Sequence, residues 1–235
     1  MMTHPKPVAA LHALLKSPLS GVDIENLSFR IIDAEMQNHT FTQDQWLVVR
    51  RMIHATADFS LADDVYFNHD AIRAAIAALH RGAPIYADSN MIRAGLSTTR
   101  LTGVSTAYAD PRIMCHIGDP DVATLAINTG LPRSLYAVRK AREHLNNAII
   151  LIGNAPVALL EVNRMVIEES LLPALVIGMP VGFVHVVESK EELLRLDIPS
   201  IVLRGRRGGS ALAVSVLHAL AALATDDRGV CLNHG

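Results

Sequence analysis

The sequence predicts an α/β protein built on a parallel sheet, and three observations lead there. Five short apolar runs recur from residue 84 onward. Segments of helical period separate them, and a strand–helix alternation of this kind argues for parallel strands joined by right-handed crossovers. Each run is followed by a cluster of glycine, asparagine, serine, aspartate or proline, the residues that turn a chain.

The elements follow in order. Residues 1–20, with Pro5, Pro7 and Pro18, read as a loose arm. A first helix fits Asp23 to Met36. The next is better marked: Thr42 and Gln45 form a capping box, and Phe41 with Trp46 has staple spacing, so a helix is expected from Thr42 to about Ala57. A third fits His69 to His80 and stops near Gly82. The five strand candidates are Pro84–Ala87, Arg112–Ile117, Ala148–Ile152, Ala174–Ile177 and Ser200–Leu203. Their nearly continuous apolar character suits strands covered on both faces. Helices are expected over Asp121 to about Asn146, Pro156 to Ser170, Ser189 to Leu196 and Ser210 to Ala224. Ser189 and Glu192 have the Ser-x-x-Glu spacing of a second capping box. The last helix is apolar nearly all round, which places it in a core or an interface. One domain is expected over residues 21–225, with 226–235 as a tail.

Composition excludes several classes. Half of the 235 residues are apolar, and 19% are charged, so the chain can bury a core without disulfides or a structural metal. The net charge is −2, which leaves no basic excess to drive nucleic-acid binding. Cys115 and Cys231 are the only cysteines, a usage that suits a reducing cytoplasm. Residues 1–13 lack the basic and apolar regions of a secretory signal. The most apolar run, Leu171 to Val187, is broken by Pro173, Gly178, Pro180 and Gly182, so no membrane span is expected.

The polar clusters follow the strands. They are Asp88-Ser89-Asn90, Gly118-Asp119-Pro120, Gly153-Asn154-Ala155-Pro156, Gly178 to Phe183, and Gly205-Arg206-Arg207-Gly208-Gly209-Ser210. All fall at carboxyl ends of strands, the edge where open α/β sheets bind ligands. The last cluster has neither the Walker spacing nor G-x-G-x-x-G. A glycine-rich turn, two arginines and a helix start suit an anion, carboxylate as readily as phosphate; they also suit a tight turn with two solvated arginines. His54, with Arg50 and Asp58 four residues to either side, can exchange a proton near neutrality or simply sit half-buried on its helix. Ser28, Arg133 and Ser134 read as ordinary polar positions, although Arg133 after Gly130-Leu131-Pro132 could open a helix and reach a ligand. His116, Asp119 and Asp121 lack the pattern of a metal site.

Seven segments, in order, resemble the precorrin-8X methylmutase family of cobalamin biosynthesis. They are Ile24-Glu25…Ser28-Phe29, Arg51 to Phe59, Asp88-Ser89-Asn90-Met91…Ala94-Gly95, Thr129…Arg133-Ser134, Gly153 to Leu159, Pro180-Val181-Gly182-Phe183-Val184…Glu188-Ser189-Lys190, and Arg204 to Ser210. The resemblance covers about Ile24 to Leu220. It implies a flavodoxin-like three-layer α/β/α sandwich with a five-stranded parallel sheet and additional N-terminal helices. It also implies a cytoplasmic homodimer that moves a methyl group from ring carbon 11 to ring carbon 12 of precorrin-8X or cobalt-precorrin-8. The products would be hydrogenobyrinic or cobyrinic acid, handed on to neighbouring enzymes of the pathway. No separate cofactor is implied, and cobalt, where present, belongs to the substrate. The stretch His54 to Phe59 is slightly closer to the cobalt-containing branch.

The family's catalytic histidine falls on His54, and its ligand-contacting serine and arginine fall on Ser28 and Arg133. The expected site adds Ser134, Asp88, Asn90, Asn154, Arg206, Arg207, Gly208 and Gly209 for substrate binding, and no metal ligands. Two departures stand out: Val157 replaces the family's usual threonine, and His218 a common asparagine. Two other readings compete. A corrinoid-binding carrier needs the anionic cleft but not His54, and a flavin or nucleotide protein rests on the fold alone.

Overall fold

A computed structural model describes residues 9–109 and 113–232. Arg112, the first eight residues of the arm and the last three of the tail lie outside the described residues. Contacts divide the chain into two compact units, Met1–His39 and Thr40–Gly235. The first holds a short helix α1 (Leu11–Leu14) and a longer α2 (Gly21–Glu35). Ser20 and Asp23 start α2 with a reciprocal capping box, two residues ahead of the expected Asp23.

The second unit opens with α3 (Gln43–Thr56), capped by Thr42 and Gln45 as their spacing predicts. Ala57, in the left-handed conformation, ends it. A 3-10 turn (Phe59–Asp64), strand β1 (Val65–Asn68) and α4 (Ala71–His80) follow. Helix α4 starts later than His69 because both His69 and Asp70 have positive φ. Next come β2 (Ile85–Ala87), α5 (Asn90–Gly95), α6 (Thr98–Val104) and β3 (Ile113–Met114). The chain continues with α7 (Pro120–Thr129), α8 (Arg133–Ala141), β4 (Ile149–Ile152), α9 (Pro156–Glu169) and β5 (Leu175–Gly178). It closes with α10 (Val186–Leu193), β6 (Ser200–Leu203) and α11 (Ser210–Leu232).

The sheet has six strands in the order β1-β6-β5-β4-β2-β3. Strands β2 to β6 are parallel to their neighbours, while β1 pairs antiparallel with β6, Val65 opposite Leu203 and Asn68 opposite Ser200. The expected all-parallel five-stranded sheet is therefore corrected to a mixed six-stranded one. The missed strand is an edge of four residues whose pattern is not continuous burial, because one flank has no neighbour. The expected helix from Asp121 to Asn146 is two helices. Gly130 ends α7 at φ 69°, and Pro132 caps α8 without a backbone N–H to continue the ladder. The capping box expected at Ser189 is absent. Helix α10 begins at Val186 after a left-handed His185, and the Ser189 hydroxyl donates to the carbonyl of Val186 inside the helix.

Two helical layers cover the sheet. Register aligns Tyr86, Ile150 and Val176 on one face, where they pack with Val138, Leu159 and Val162 of α8 and α9. The alternate residues belong to the other face, and α11 packs against β4 and β5 and on α3, α4, α5 and α6. Its Ala213, Val216, Leu217 and Leu220 are buried, so this uniformly apolar helix is a core element. Each fully buried leucine or isoleucine contributes roughly 1.5–3 kcal/mol.

Two features of this topology position the site. The chain goes from β2 to β3 on one side and returns across it to β4 on the other. This reversal makes the carboxyl ends of β2 and β4 a topological switch point, the place where open α/β sheets hold ligands. The antiparallel β1 brings its own amino end to that same edge, so the end of α3 arrives there too.

Candidate active site

Asp88 follows β2 directly and reaches across to the loop after β4. Its buried carboxylate accepts hydrogen bonds from the backbone N–H groups of Gly153 (3.1 Å), Asn154 (2.9 Å) and Ala155 (2.7 Å). Burial pushes this carboxyl above its ordinary range, against three donors that favour the charged form. Asp88 thus braces the loop after β4 from below, and both oxygens are committed to the protein, which leaves little of it for a ligand. Beside it, the Ser89 hydroxyl accepts from Ile92 N–H at the start of α5 and lies 3.0 Å from the Ser210 hydroxyl at the start of α11. The loops after β2, β4 and β6 are thereby one hydrogen-bonded surface.

The loop after β6 is tied more tightly than a glycine-rich turn suggests. Gly209 N–H donates to the carbonyl of Met179, and Gly182 N–H to that of Arg206. A side chain at Gly208 would run into the carbonyl oxygens of Met179 and Pro180, so close approach of two backbones dictates glycine there. Lys190, on α10, is fully buried and donates from Nζ to the carbonyls of Gly205 (2.9 Å) and Arg207 (2.7 Å). Burial lowers its ammonium from the usual lysine range to about 7, with Asp64 opposing the shift.

The two arginines of this loop have different surroundings. Arg207 donates to Asp58 (2.6 Å), to Asp64 (2.7 Å) and to the hydroxyl and carbonyl of Ser60. Its guanidinium, still partly exposed, is engaged by these protein groups, so a substrate carboxylate would compete with Asp58 and Asp64 for it. Asp58 is held below the usual carboxylate range by the Ser60 hydroxyl and by Arg207. Arg206 is exposed and stacks over the ring of Phe183, 5.5 Å from its centroid.

His54 is exposed on the last turn of α3, and α3 packs along α11, whose first residue is Ser210. Asp58 does not share its helical face as the spacing predicts. The helix has ended, and Asp58 instead caps the following 3-10 turn through Ser60 N–H. The Arg207–Asp58 contact joins the end of α3 to the loop after β6.

The remaining residues sort by exposure. Arg133 is exposed as the first residue of α8, and Asn90 and Asn154 are exposed at the starts of α5 and before α9. Neither α8 nor α9 has a side-chain cap, but α9 opens with Pro156, which has no N–H, and Ala158 N–H donates to the carbonyl of Ala155, so α8 is the better anion end. Ser134 is buried and supports α8 rather than facing solvent. Ser28 lies in the N-terminal unit, where its hydroxyl donates to the carbonyl of Ile24. His218, the departure on α11, accepts from Ser97 N–H at the start of α6 (3.0 Å).

Sequence marked Asp58 by its spacing from His54 and Lys190 only as part of a family segment, and Asp64 not at all. A lysine in the run Glu188-Ser189-Lys190-Glu191-Glu192 reads as solvated, and only the fold shows it buried. Among the described residues no group of three or more His, Cys, Asp or Glu side chains is placed to hold a metal ion. No helix there is long and apolar enough to cross a membrane.

Fold and edge together define an α/β protein whose polar loops gather over the carboxyl ends of parallel strands, with an exposed histidine on a helix tied to them. Comparison with known proteins narrows this class. Residues 23–223 match the family described as precorrin-8X methylmutase. The chain is 44% identical to the cobalt-precorrin-8 methylmutase of Leptospira interrogans over 87% of its own length and 94% of that protein's. It is 38% identical to the precorrin-8X methylmutase of Pseudomonas aeruginosa, over 86% of its length and 95% of the other. The crystal structure of the Thermus thermophilus precorrin-8x methyl mutase superposes with a TM-score of 0.80 at 42% identity, covering 88% of this chain and 98% of that one. The chain belongs to the precorrin-8X methylmutase family.

Proposed function

We propose that this protein is an isomerase of corrin-ring biosynthesis that carries a methyl group from ring carbon 11 to ring carbon 12 of precorrin-8X or cobalt-precorrin-8. The products are hydrogenobyrinic or cobyrinic acid. The observation that carries the reading is the family match across residues 23–223, a span that includes His54 and every loop of the carboxyl edge. The carrier reading finds no support among the relatives named above.

In the proposed reaction the bond from methyl to carbon 11 breaks as the bond to carbon 12 forms, and the displaced electrons stay in the conjugated ring. No oxidant, reductant or separate cofactor is needed. His54 gives a proton or hydrogen bond to the nitrogen of the ring being alkylated and favours the tautomer that can shift. The acetate and propionate side chains of the macrocycle meet Arg133 and Arg206 and the amino end of α8. Asn90 and Asn154 offer amide donors at the carboxyl ends of the strands, and Ser28 remains a ligand contact on the family resemblance alone. Such an edge serves a polyanion without a basic excess in the chain.

We place the enzyme in the cytoplasm as a homodimer that passes its product to the next enzyme of the pathway. The parallel strands, counted along the chain, run in the order 2-1-3-4-5, which supports a flavodoxin-like arrangement. For the substrate we favour the cobalt-containing form, on the His54–Phe59 stretch and the 44% identity to a relative of that name. The test is turnover of metal-free and cobalt-containing precorrin-8 side by side, followed by absorption. Conversion of either spectrum to that of the corrin product is expected, faster for the cobalt form. Tight binding without spectral change would overturn the isomerase reading.

A further inference from the structure

The loop from Gly205 to Arg207 has three successive carbonyl oxygens, and each accepts a hydrogen bond. Lys190 Nζ takes the first and third, and Gly182 N–H takes the second. The peptide planes on both sides of Arg206 are therefore fixed. Arg206 itself points outward over Phe183, while its neighbour Arg207 is turned inward to Asp58 and Asp64.

We infer that Lys190 is a positioning residue of the substrate site: its buried ammonium fixes the turn that aims Arg206 at the anionic groups of the ligand. The inference rests on the methylmutase reading given above. Two backbone carbonyls could be satisfied by a neutral amide or hydroxyl. A buried ammonium costs far more to desolvate, and none of its hydrogen bonds goes to a carboxylate. What it adds is a positive charge directly beneath a loop that meets a polyanion.

The charged groups around it are accounted for. On the 3-10 turn, Asp64 acts on Lys190 at longer range and is paired with Arg207, as is Asp58. On its own helix, Glu188 is exposed, Glu191 is paired with Arg204 from the end of β6, and Glu192 accepts from Asn163 of α9. On α9, Glu161 and Arg164 are paired with each other, and Glu161 also with Arg139 of α8. With a value of about 7, Lys190 is charged in mildly acid solution and neutral in mildly basic solution.

The experiment compares the wild-type enzyme with Lys190→Met, a substitution of similar length without charge or donors. KM and kcat for the natural precursor are measured from about pH 6 to about pH 8.5. At the acid end the variant's KM is expected to be about tenfold above wild type, the size of one lost charge-assisted hydrogen bond, with kcat within about twofold. At the basic end, where wild-type Lys190 has lost its charge, the ratio of the two KM values should shrink to about twofold. Taking the ratio cancels every other titrating group. A ratio that stays constant across the range would show a brace without an electrostatic role and overturn the inference, as would an unchanged KM. If Lys190→Met does not fold, Lys190→Gln takes its place. If neither folds, the His54→Ala chain is titrated with hydrogenobyrinic acid: affinity falling through a midpoint near 7 supports the inference, and a flat profile overturns it. Failure of the methylmutase reading looks different, because the wild-type enzyme itself would then leave the precursor unchanged.

Discussion

Arg206 and Arg207 are identical in type and adjacent in sequence, yet one faces solvent and the other is held by two aspartates and a serine. Nothing in the one-dimensional pattern separates them, because the groups that capture Arg207 lie on the 3-10 turn after α3. Their substitutions should separate just as clearly. Arg206→Ala is expected to raise KM about ten- to a hundredfold and to leave kcat nearly unchanged, since it removes a binding contact. Steady-state kinetics on the natural precursor check this, and an unchanged KM would return Arg206 to the status of a solvated turn residue. Arg207→Ala should instead lower kcat, by loosening the segment that carries His54. For His54→Ala we expect folding and substrate binding to survive while turnover falls about 10²–10⁴-fold, the usual loss for a proton donor. Near-normal turnover in the folded variant would remove His54 from the mechanism. Lys190 adds a prediction about stability. Its folded value of about 7 lies below the ordinary lysine value of 10.5, so between these limits the unfolded chain holds a proton that the folded chain does not. Wild type should therefore gain stability relative to Lys190→Met as pH rises from about 7 to about 10, with the full deficit present below that window. Thermal midpoints across that range would show it, and parallel pH curves would contradict it.

Elements were legible where a local rule acts alone. The Thr42–Gln45 box marks the start of α3, and Gly82 and Pro84 bracket the entry to β2. Five strands were read at or within a few residues of their ends because all-aliphatic runs such as Ile149–Ile152 have no other explanation in a parallel sheet. The misreadings arose where tertiary contacts decide. Strand β1 exists because β6 offers it an edge, and Ser189 sits inside α10 because Gly182 and His185 turn the chain earlier than the hydroxyl could. At the loop after β6, a glycine-rich turn, two arginines and a helix start suggested an anion site, with a tight turn as the other reading. The structure assigns Gly208 to a close backbone approach instead. We expect Gly208→Ala to displace this loop from Met179 and Pro180, lowering the thermal midpoint and substrate affinity together. An unaltered midpoint would show that the loops after β5 and β6 can part at no cost.

At the scale of the molecule, strand number and direction were nearly readable, while strand order was not, since order depends on which crossover packs on which face. The site follows order more than sequence: Asp88 and Gly153 meet only because β2 and β4 are neighbours. Assembly is a further property of the whole. In the N-terminal unit, α2 leaves Ile24, Leu27 and Ile31 exposed at helical spacing, a stripe that calls for a cover. Sedimentation equilibrium at micromolar concentration should give twice the 25.4 kDa mass of the chain; a monomer would contradict the proposed dimer.

The antiparallel strand at the sheet's edge also has a consequence for how the molecule comes into being. Arg207 and Asp58, which join the loop after β6 to the end of α3, are 149 residues apart, and β1 can pair only with the last strand of the sheet. During synthesis the histidine-bearing helix emerges early and must wait, unpartnered along this edge, until nearly the entire chain has left the ribosome. The proposed site is therefore among the last parts of the protein to be completed, and a nascent or truncated chain ending before residue 200 would carry His54 without β6, the loop after it or α11.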